Sequence, residues 1–403
     1  LIPRTVNGKD SYKMTQQKIA VLNLGFRLFF LGAGIFSVIS ILLWMSIYIF
    51  QLPLQITKIS YLQWHAHEML YGFTMAVIAG FLLTAVKNWT GIQTLHGLSL
   101  LVLFTLWLLA RILFLFGTHF IFIAAVFDIL FMLFLTSSVA YPIIRVRQWK
   151  QIGIMAKLAL LAVTNGFFYL GVADILEQGV YWSIYAGLFI IIGLILTIGR
   201  RVIPFFIEAG VGYPIKVFNS KWIDASSLLL YLAFFVVEIF IGDRQLSSFI
   251  AMGLFIVTSV RLIGWHTRGI WKKPLLWSLF TSFIFIDLGF LLIALSEFID
   301  SLNMLSVHSF SFGGIGLATL SMMARVSLGH TGRNVQNPPQ AMTFSFLALI
   351  MGSIVRVIFP LIDANHYLIW IILSQVLWIT AFLIFVITYL PMLVRPRIDG
   401  QLG

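Results

Sequence analysis

The stretch Trp64–Val86, WHAHEMLYGFTMAVIAGFLLTAV, decides the fold of this chain. It opens with two histidines and a glutamate, and then stays apolar to its end. As an α-helix it would extend over about 35 Å, which is enough to cross a hydrocarbon core of about 30 Å. The stretch therefore predicts a transmembrane helix with ionisable groups at one end.

The composition extends this prediction to the whole chain. The 403 residues are 60% hydrophobic and only 10% charged, whereas about a quarter of the residues of a soluble domain are charged. We therefore predict an all-α polytopic membrane protein of about twelve transmembrane helices. The apolar runs are Phe26–Phe50, Trp64–Val86, Leu95–Phe116, His119–Ile143, Ile154–Leu176, Val180–Ile203, Trp222–Ile241, Leu246–Trp265, Pro274–Ser296, Leu302–Arg325, Ala341–Ile362 and His366–Leu393.

The charges indicate topology rather than a partner. The net charge is +12, but the basic residues fall in alternate loops, and the other loops hold only Lys58 and Arg244. By the positive-inside rule both termini are expected in the cytoplasm, and binding to nucleic acid is not expected. The first 23 residues are polar and lack the apolar core of a signal peptide. Cysteine is absent, which excludes disulfides, thiolate ligands and covalent c-type haem.

Two long segments indicate an internal duplication. HEMLYGFTMAVIAGFLLTAVKNWTG starts at His67 and HSFSFGGIGLATLSMMARVSLGHTG starts at His308; in both, glycine follows the histidine by five residues and Thr-Gly closes the segment. ARILF around Arg111 resembles VRVIF around Arg356, and HFIF at His119 resembles HYLI at His366. We predict three four-helix units in one membrane domain. The predicted boundaries are a tail at 1–23, the domain at 24–403, and units at about 24–150, 151–270 and 271–400.

The duplication has a chemical consequence. His67 and His308 become equivalent positions on two helices, and two facing imidazoles suit the axial ligation of one haem b iron. Arg111 and Arg356 become equivalent too, and two guanidinium groups suit the two haem propionates. Glycines and alanines beside the histidines either leave room for a flat macrocycle or only let helices pack closely.

His65 and Glu68 are left over by this scheme. On a regular helix His65 points about 200° away from His67, so the two cannot easily bind one metal ion. His65 is a candidate for a second metal site, haem or copper, or for a hydrogen bond to Glu68 or to solvent. Glu68 is a candidate for proton transfer or only a favourable charge at a helix start. These two residues are the candidates for a catalytic role.

Several blocks resemble the NnrS family: GFRLFF, WHAHEMLYGF, AVIAGFLLTAVKNWTG, GRRVIPFF, ARVSLGHTGR and the final RPRIDGQLG. The resemblance implies a twelve-helix haem- and copper-containing protein of the bacterial inner membrane, linked to nitric oxide metabolism and nitrosative stress. It also implies functional histidines at His65, His67, His308 and His330. Where many relatives carry histidine, this chain has Tyr169 and Phe280, which puts a second metal centre, and with it copper, in doubt.

The plan of twelve helices with histidines on the second and tenth is also that of haem–copper oxidases, a likeness of fold only. The motif SLGHTGR, with His330, sits at the opposite end from His308 and reads equally well as a cofactor or anion site or as a glycine turn.

Three functions stay open at the level of sequence. The first is a haem protein that binds nitric oxide, with or without reducing it as a nitric oxide reductase-type oxidoreductase, using an electron donor that the sequence does not name. The second is a proton-coupled secondary transporter. The third is a sensor or metal-handling protein without turnover.

Overall fold

The structure, a computed structural model, describes residues 19–52, 58–117 and 120–401. Twelve helices in these ranges are long and apolar enough to cross a membrane, which confirms the predicted fold class. Of the predicted tail, residues 1–18 lie outside the described ranges. We number the helices α1 Gly25–Phe50, α2 Tyr61–Thr90, α3 Gly97–Leu115, α4 Ile121–Arg145, α5 Trp149–Val172, α6 Gly179–Gly210, α7 Lys221–Ile241, α8 Arg244–Trp265, α9 Pro274–Leu295, α10 Ser301–His330, α11 Ala341–Ile362 and α12 Tyr367–Val394.

Four of the helices form the centre of the bundle. In the most apolar stretch of α2, α6, α9 and α10, between 61% and 89% of the residues are buried, against 22% to 44% in the other eight. In a bilayer the outer helices face lipid. An apolar side chain that faces lipid is already away from water, so it does not need to be buried against protein. The central four must instead pack against protein on nearly every side. They carry most of the candidate functional residues.

Polar contacts fix where helices begin and end. At the start of α2, Ser60 and Gln63 form a capping box, in which each side chain bonds the other's backbone N–H. At the start of α1, one Nη atom of Arg27 donates to three carbonyls at the end of α12, at 2.8 to 3.2 Å. Because a helix end leaves carbonyls without partners, this arginine joins the first helix to the last.

Two central helices contain a π-helical segment directly after a candidate histidine. In α2 the segment is Glu68–Thr74, following His67, and in α10 it is Ser309–Gly316, following His308. Such segments are rare and are frequent at functional sites. We call the end of the bundle at which α2 and α10 begin the histidine end. The matching positions agree with the proposed duplication, while the division into three units stays a prediction.

Candidate functional site

A cavity of about 200 Å³ lies at the histidine end, between α1, α2, α10, α11 and α12. His65 from α2 and His308 from α10 both line it, together with Arg356 from α11. Aromatic side chains form much of the wall, among them Trp44 and Trp378. We call it the histidine cavity. It is the place where the structure brings two of the predicted histidines together.

The hydrogen bonds of His308 define its tautomer. Its Nδ1 lies 3.0 Å from the backbone oxygen of Met304, and its Nε2 lies 3.0 Å from Nη2 of Arg356. A carbonyl oxygen only accepts and a guanidinium only donates, so Nδ1 carries the proton and Nε2 presents its lone pair. A histidine ligand of a metal typically donates its other ring N–H to a carbonyl in this way. His308 is therefore prepared as an Nε2 ligand.

His65 is held mainly by ring stacking. Its ring lies 4.5 Å from that of Trp44, centroid to centroid, with 11° between the planes. Its Nδ1 is buried and has no hydrogen-bond partner among the described residues. A buried polar atom without a partner is unfavourable, and its presence calls for an explanation such as a bound group. His65 thus has a nitrogen that the protein itself does not use.

His67 lies in a different place, among four helices and fully buried. Its Nδ1 is 3.1 Å from Oε1 of Glu68, and its Nε2 is 3.0 Å from Oδ1 of Asn165. The amide orientation of Asn165 follows from its Nδ2, which donates to Asp128 at 3.0 Å. Both ring nitrogens of His67 therefore lie against oxygen atoms of neighbouring side chains, and neither faces the histidine cavity.

His67 belongs to a buried group of ionisable side chains, which we call the charge cluster. Arg111 pairs with Glu68 and, at 2.6 Å, with Asp128. Asp128 also accepts hydrogen bonds from Tyr169, at 2.8 Å, and from Asn165. Both carboxylates thus have Arg111 as a partner, and each of the four ionisable side chains is no more than 2% exposed. Buried charges persist when they are paired and hydrogen-bonded in this manner.

These observations correct the predicted pairing of His67 with His308. The structure pairs His308 with His65, which lines the same cavity, and commits His67 to the charge cluster. The reason is the rotation of about 200° between residues two apart on a helix, which sends the two rings of α2 to opposite sides. The prediction that His65 and His67 do not share one ligand shell agrees with this arrangement.

The two arginines that were predicted to bind the haem propionates lie in different surroundings. Arg111 has both of its Nη atoms on the carboxylates of the charge cluster, so it is not free for a propionate. Arg356 lies in the histidine cavity and forms no ion pair in the described part of the chain; it contacts His308 and, at 3.3 Å, the hydroxyl of Tyr367. Glu68, a catalytic candidate, is likewise tied to Arg111 and His67.

His330 lies at the other end of α10, about 33 Å along the helix from His308. Its ring is 5.6 Å from Phe26, and its carbonyl accepts a hydrogen bond from Arg397 at 3.3 Å. It cannot contribute to the histidine cavity. The C-terminal segment packs on the turn that follows, because Ile398 N donates to Thr331 O at 3.4 Å. A cofactor role for His330 stays a prediction.

Sequence reasoning missed Asp128, Asn165 and Gln375. Each is a carboxylate or amide residue within a largely apolar helix, which is itself a signal of function or of a buried partner. Gln375 borders the histidine cavity, and both polar atoms of its amide are buried without a hydrogen-bond partner. Asp174, by contrast, lies at the surface and only approaches Lys58, at 3.8 Å.

The donor set of the histidine cavity fits a haem iron, since it offers two imidazoles from two helices and a cation for a carboxylate. The volume is smaller than the 300–1,000 Å³ usual for cofactor pockets. Two wall residues, Tyr48 and Leu62, are exposed, so the cavity is not closed off on that side. Within the described ranges, no three histidine, aspartate or glutamate side chains are grouped to hold a metal ion. Copper stays a prediction from the resemblance.

Comparison with known proteins agrees with the blocks quoted from the sequence. A search of curated proteins found no match. The family model described as NnrS protein matches residues 20–397, which is nearly the whole chain and includes every residue of the histidine cavity and of the charge cluster. The chain therefore belongs to the NnrS family, a family linked to nitric oxide metabolism.

Proposed function

We propose that this chain is a haem b protein of nitric oxide metabolism whose iron is held by His65 and His308. The observation that carries the proposal is that one histidine from α2 and one from α10 line a single cavity. Two imidazoles on opposite sides of a space are a common axial ligand set for haem. Membership of the NnrS family supports the same conclusion.

The side chains of the cavity have distinct roles in this proposal. His308 is the better ordered ligand, because its Nδ1–H is anchored on the Met304 carbonyl and its Nε2 carries the lone pair, which accepts from Arg356. Arg356 lies 3.0 Å from that Nε2 and forms no ion pair, so it is suited to pair with a haem carboxylate and release the imidazole. His65 is the looser ligand, since within the described ranges its ring stacks on Trp44 and its Nδ1 has no hydrogen-bond partner.

Haem iron supplies nitric oxide binding and one-electron chemistry when it is bound. The chain contributes the environment. Its aromatic walls, among them Trp44, Phe312 and Trp378, keep water away and lower the local dielectric. His65 and His308 would hold the haem, and the more loosely held His65 would be the residue that makes room for nitric oxide. Copper and an electron donor are not needed for binding.

A spectrum tests the proposal directly. Purified protein, reduced with dithionite and compared with its oxidised form, should show sharp α and Soret bands, and both should shift when nitric oxide is added without oxygen. Well-folded protein without these bands would overturn the proposal. Anaerobic nitric oxide consumption with an artificial electron donor then separates an enzyme from a binding protein or a sensor.

The transporter alternative draws on one observation, the buried charge cluster around Arg111. Ionisable groups within the membrane are typical of proton-coupled transporters. Here, however, Glu68, Arg111 and Asp128 are bonded to one another, so no charge is left for a substrate. Proton-coupled uptake into vesicles by haem-free protein would favour transport.

We also propose that the histidine end faces the periplasm of a bacterial inner membrane, with both termini in the cytoplasm. The loops at the opposite end carry nearly all of the basic residues of the described loops, and those at the histidine end carry only Lys58 and Arg244. This distribution supports the orientation through the positive-inside rule.

A further inference from the structure

A second cavity, of about 90 Å³, lies where the four central helices α2, α6, α9 and α10 meet; it is open on one side, where Phe81, Ile195 and Met322 are partly exposed. Its lining is almost entirely aliphatic and aromatic, for example Ile195, Leu279 and Phe283. A single water needs only about 10–15 Å³ of such space, so the cavity has room for more than one small molecule. We call it the central cavity.

The two polar side chains in its wall are already satisfied. Thr74 donates its hydroxyl hydrogen bond to the backbone oxygen of Met69, at 2.8 Å. The hydroxyl of Thr319 lies 2.8 Å from the Ile315 oxygen and 2.9 Å from that of Gly316. Water in the cavity would therefore find no group in need of a hydrogen bond. Apolar cavities of this kind stay dry and bind small apolar solutes such as xenon.

The position of the central cavity relates it to the histidine cavity. Thr74 is the last residue of the π-helical segment of α2, and Thr319 lies three residues after the segment of α10. Along the helices, Thr74 is about 13 Å from His65, and Thr319 is about 16 Å from His308. The central cavity thus lies within the membrane, beneath the histidine cavity and on the same two helices.

We infer that the central cavity is a binding site for a small apolar gas and that nitric oxide is its ligand. Nitric oxide is a neutral diatomic molecule that dissolves well in hydrocarbon and needs no hydrogen-bond partner. Held there, it is stored at membrane depth close to the cavity where it is used. The identity of the gas rests on the proposed function, whereas the existence of an apolar gas site rests on the lining alone.

Xenon is the probe for the site, because it is apolar, electron-dense and detectable by its own NMR signal. Crystals of the full chain under xenon pressure should show one xenon atom among Thr74, Ile195 and Thr319. In solution, the ¹²⁹Xe chemical shift should titrate with the protein. Water density in the cavity, or no xenon at all, would overturn the inference.

Variants that change only the cavity volume sharpen the test. Ala318 lines the central cavity, so Ala318→Leu should fill it and weaken xenon binding at least tenfold. Ile195→Ala should enlarge it and strengthen binding, which keeps the test valid if the leucine variant folds poorly. The matched control is Ala348→Leu on α11, a partly buried alanine that lines neither cavity. Equal binding by all three variants would contradict the assignment.

Nitric oxide itself completes the experiment. Anaerobic nitric oxide should displace xenon from wild-type protein, as judged by the ¹²⁹Xe shift, and should do so even in haem-free protein. Xenon binding that nitric oxide does not disturb would refute nitric oxide as the ligand. Protein that binds xenon but never haem would instead refute the proposed function and leave the gas site standing, so the two failures are distinguishable.

Discussion

At the scale of single residues, the hydrogen-bond partners of a histidine depend on one neighbouring side chain in another helix. His67 is surrounded by acceptors because Asp128 orients Asn165 and draws in Arg111. In the proposed duplication, Asp128 stands nine residues after His119 and Gln375 stands nine residues after His366; His119 itself lies outside the described residues. The first copy thus has a carboxylate where the last has a neutral amide.

This difference explains why His67 and His308, which are equivalent in the proposed duplication, lie in different surroundings and do not line the same cavity. Without a carboxylate beside it, Arg356 stays in the cavity with His308, whereas Arg111 is enclosed by two acids. The repeat stays a prediction that rests on residue spacing. The surroundings of each histidine could not be predicted from spacing, because they depend on which side chains of α4 and α5 reach α2.

The charge cluster predicts a large stability effect at Asp128. Asp128→Asn removes one of the two carboxylates that pair with the buried Arg111. Breaking a buried ion pair in this way typically costs about 3–5 kcal/mol. We expect a clearly lower thermal unfolding midpoint in detergent.

The matched control for this change is Asp174→Asn, at an exposed carboxylate that lies 3.8 Å from Lys58. Surface pairs contribute about 0–1 kcal/mol, so the midpoint should barely move. Similar midpoints for both variants would mean that the cluster is not the ion-pair network described above.

At the scale of elements, the π-helical segment of α10 depends on close packing against α9. A Cβ atom added at Gly313 would clash with the ring of Phe285, whereas one added at Gly153 in α5 would meet no atom within 4 Å. Gly313→Ala should therefore destabilise the protein by about 1–3 kcal/mol through overpacking. Gly153→Ala should be neutral or stabilising by up to about 1 kcal/mol, since alanine favours the helix.

Chemical unfolding in mixed micelles, followed by tryptophan fluorescence, compares these two glycine variants. Equal free energies of unfolding for the two variants would show that α9 and α10 can move apart at Phe285 without loss of stability. The sequence shows that a glycine follows each of the two histidines. It does not show which bulky side chain packs against each glycine.

The C-terminal segment after α12 has a pH dependence whose sign can be worked out. The hydrogen bonds from Arg397 lower the pKa of Asp399 to about 2, below its ordinary value of 3.8. A carboxylate with a lowered pKa stabilises the folded arrangement above its ordinary pKa, and this contribution is lost as the pH falls toward 2. Residues 395–401 should therefore remain packed on the Thr331 turn at pH 5 to 8.

Hydrogen–deuterium exchange of that segment, corrected for intrinsic rates, tests this expectation. Asp399→Asn should raise exchange at neutral pH and should make it independent of acidification to pH 3. An equally protected segment in the variant would show that the ion pair does not hold it.

At the scale of the whole molecule, composition sufficed for the fold class, because twelve long apolar runs have few alternatives in a membrane. Which helices are central did not follow from hydropathy, since lipid-facing and buried helices are equally apolar. The central cavity could not be predicted either, because it arises from residues on four helices that are far apart in sequence.

Orientation in the membrane is testable because the chain has no cysteine. A single cysteine at Gln51, exposed at the histidine end, should react with a membrane-impermeant maleimide added to intact spheroplasts. One at Arg147, exposed at the other end, should react only after the membrane is opened. The reverse pattern would invert the proposed topology.

The central claim is that His65, and not His67, joins His308 in holding haem. Its most direct test is the haem content per protein chain of His65→Ala, His308→Ala and His67→Gln, measured on monodisperse protein, with His366→Ala as the surface control. The first two should lose most of the haem, while His67→Gln and His366→Ala should keep it. Haem retained in His65→Ala and lost from folded His67→Gln would contradict the account.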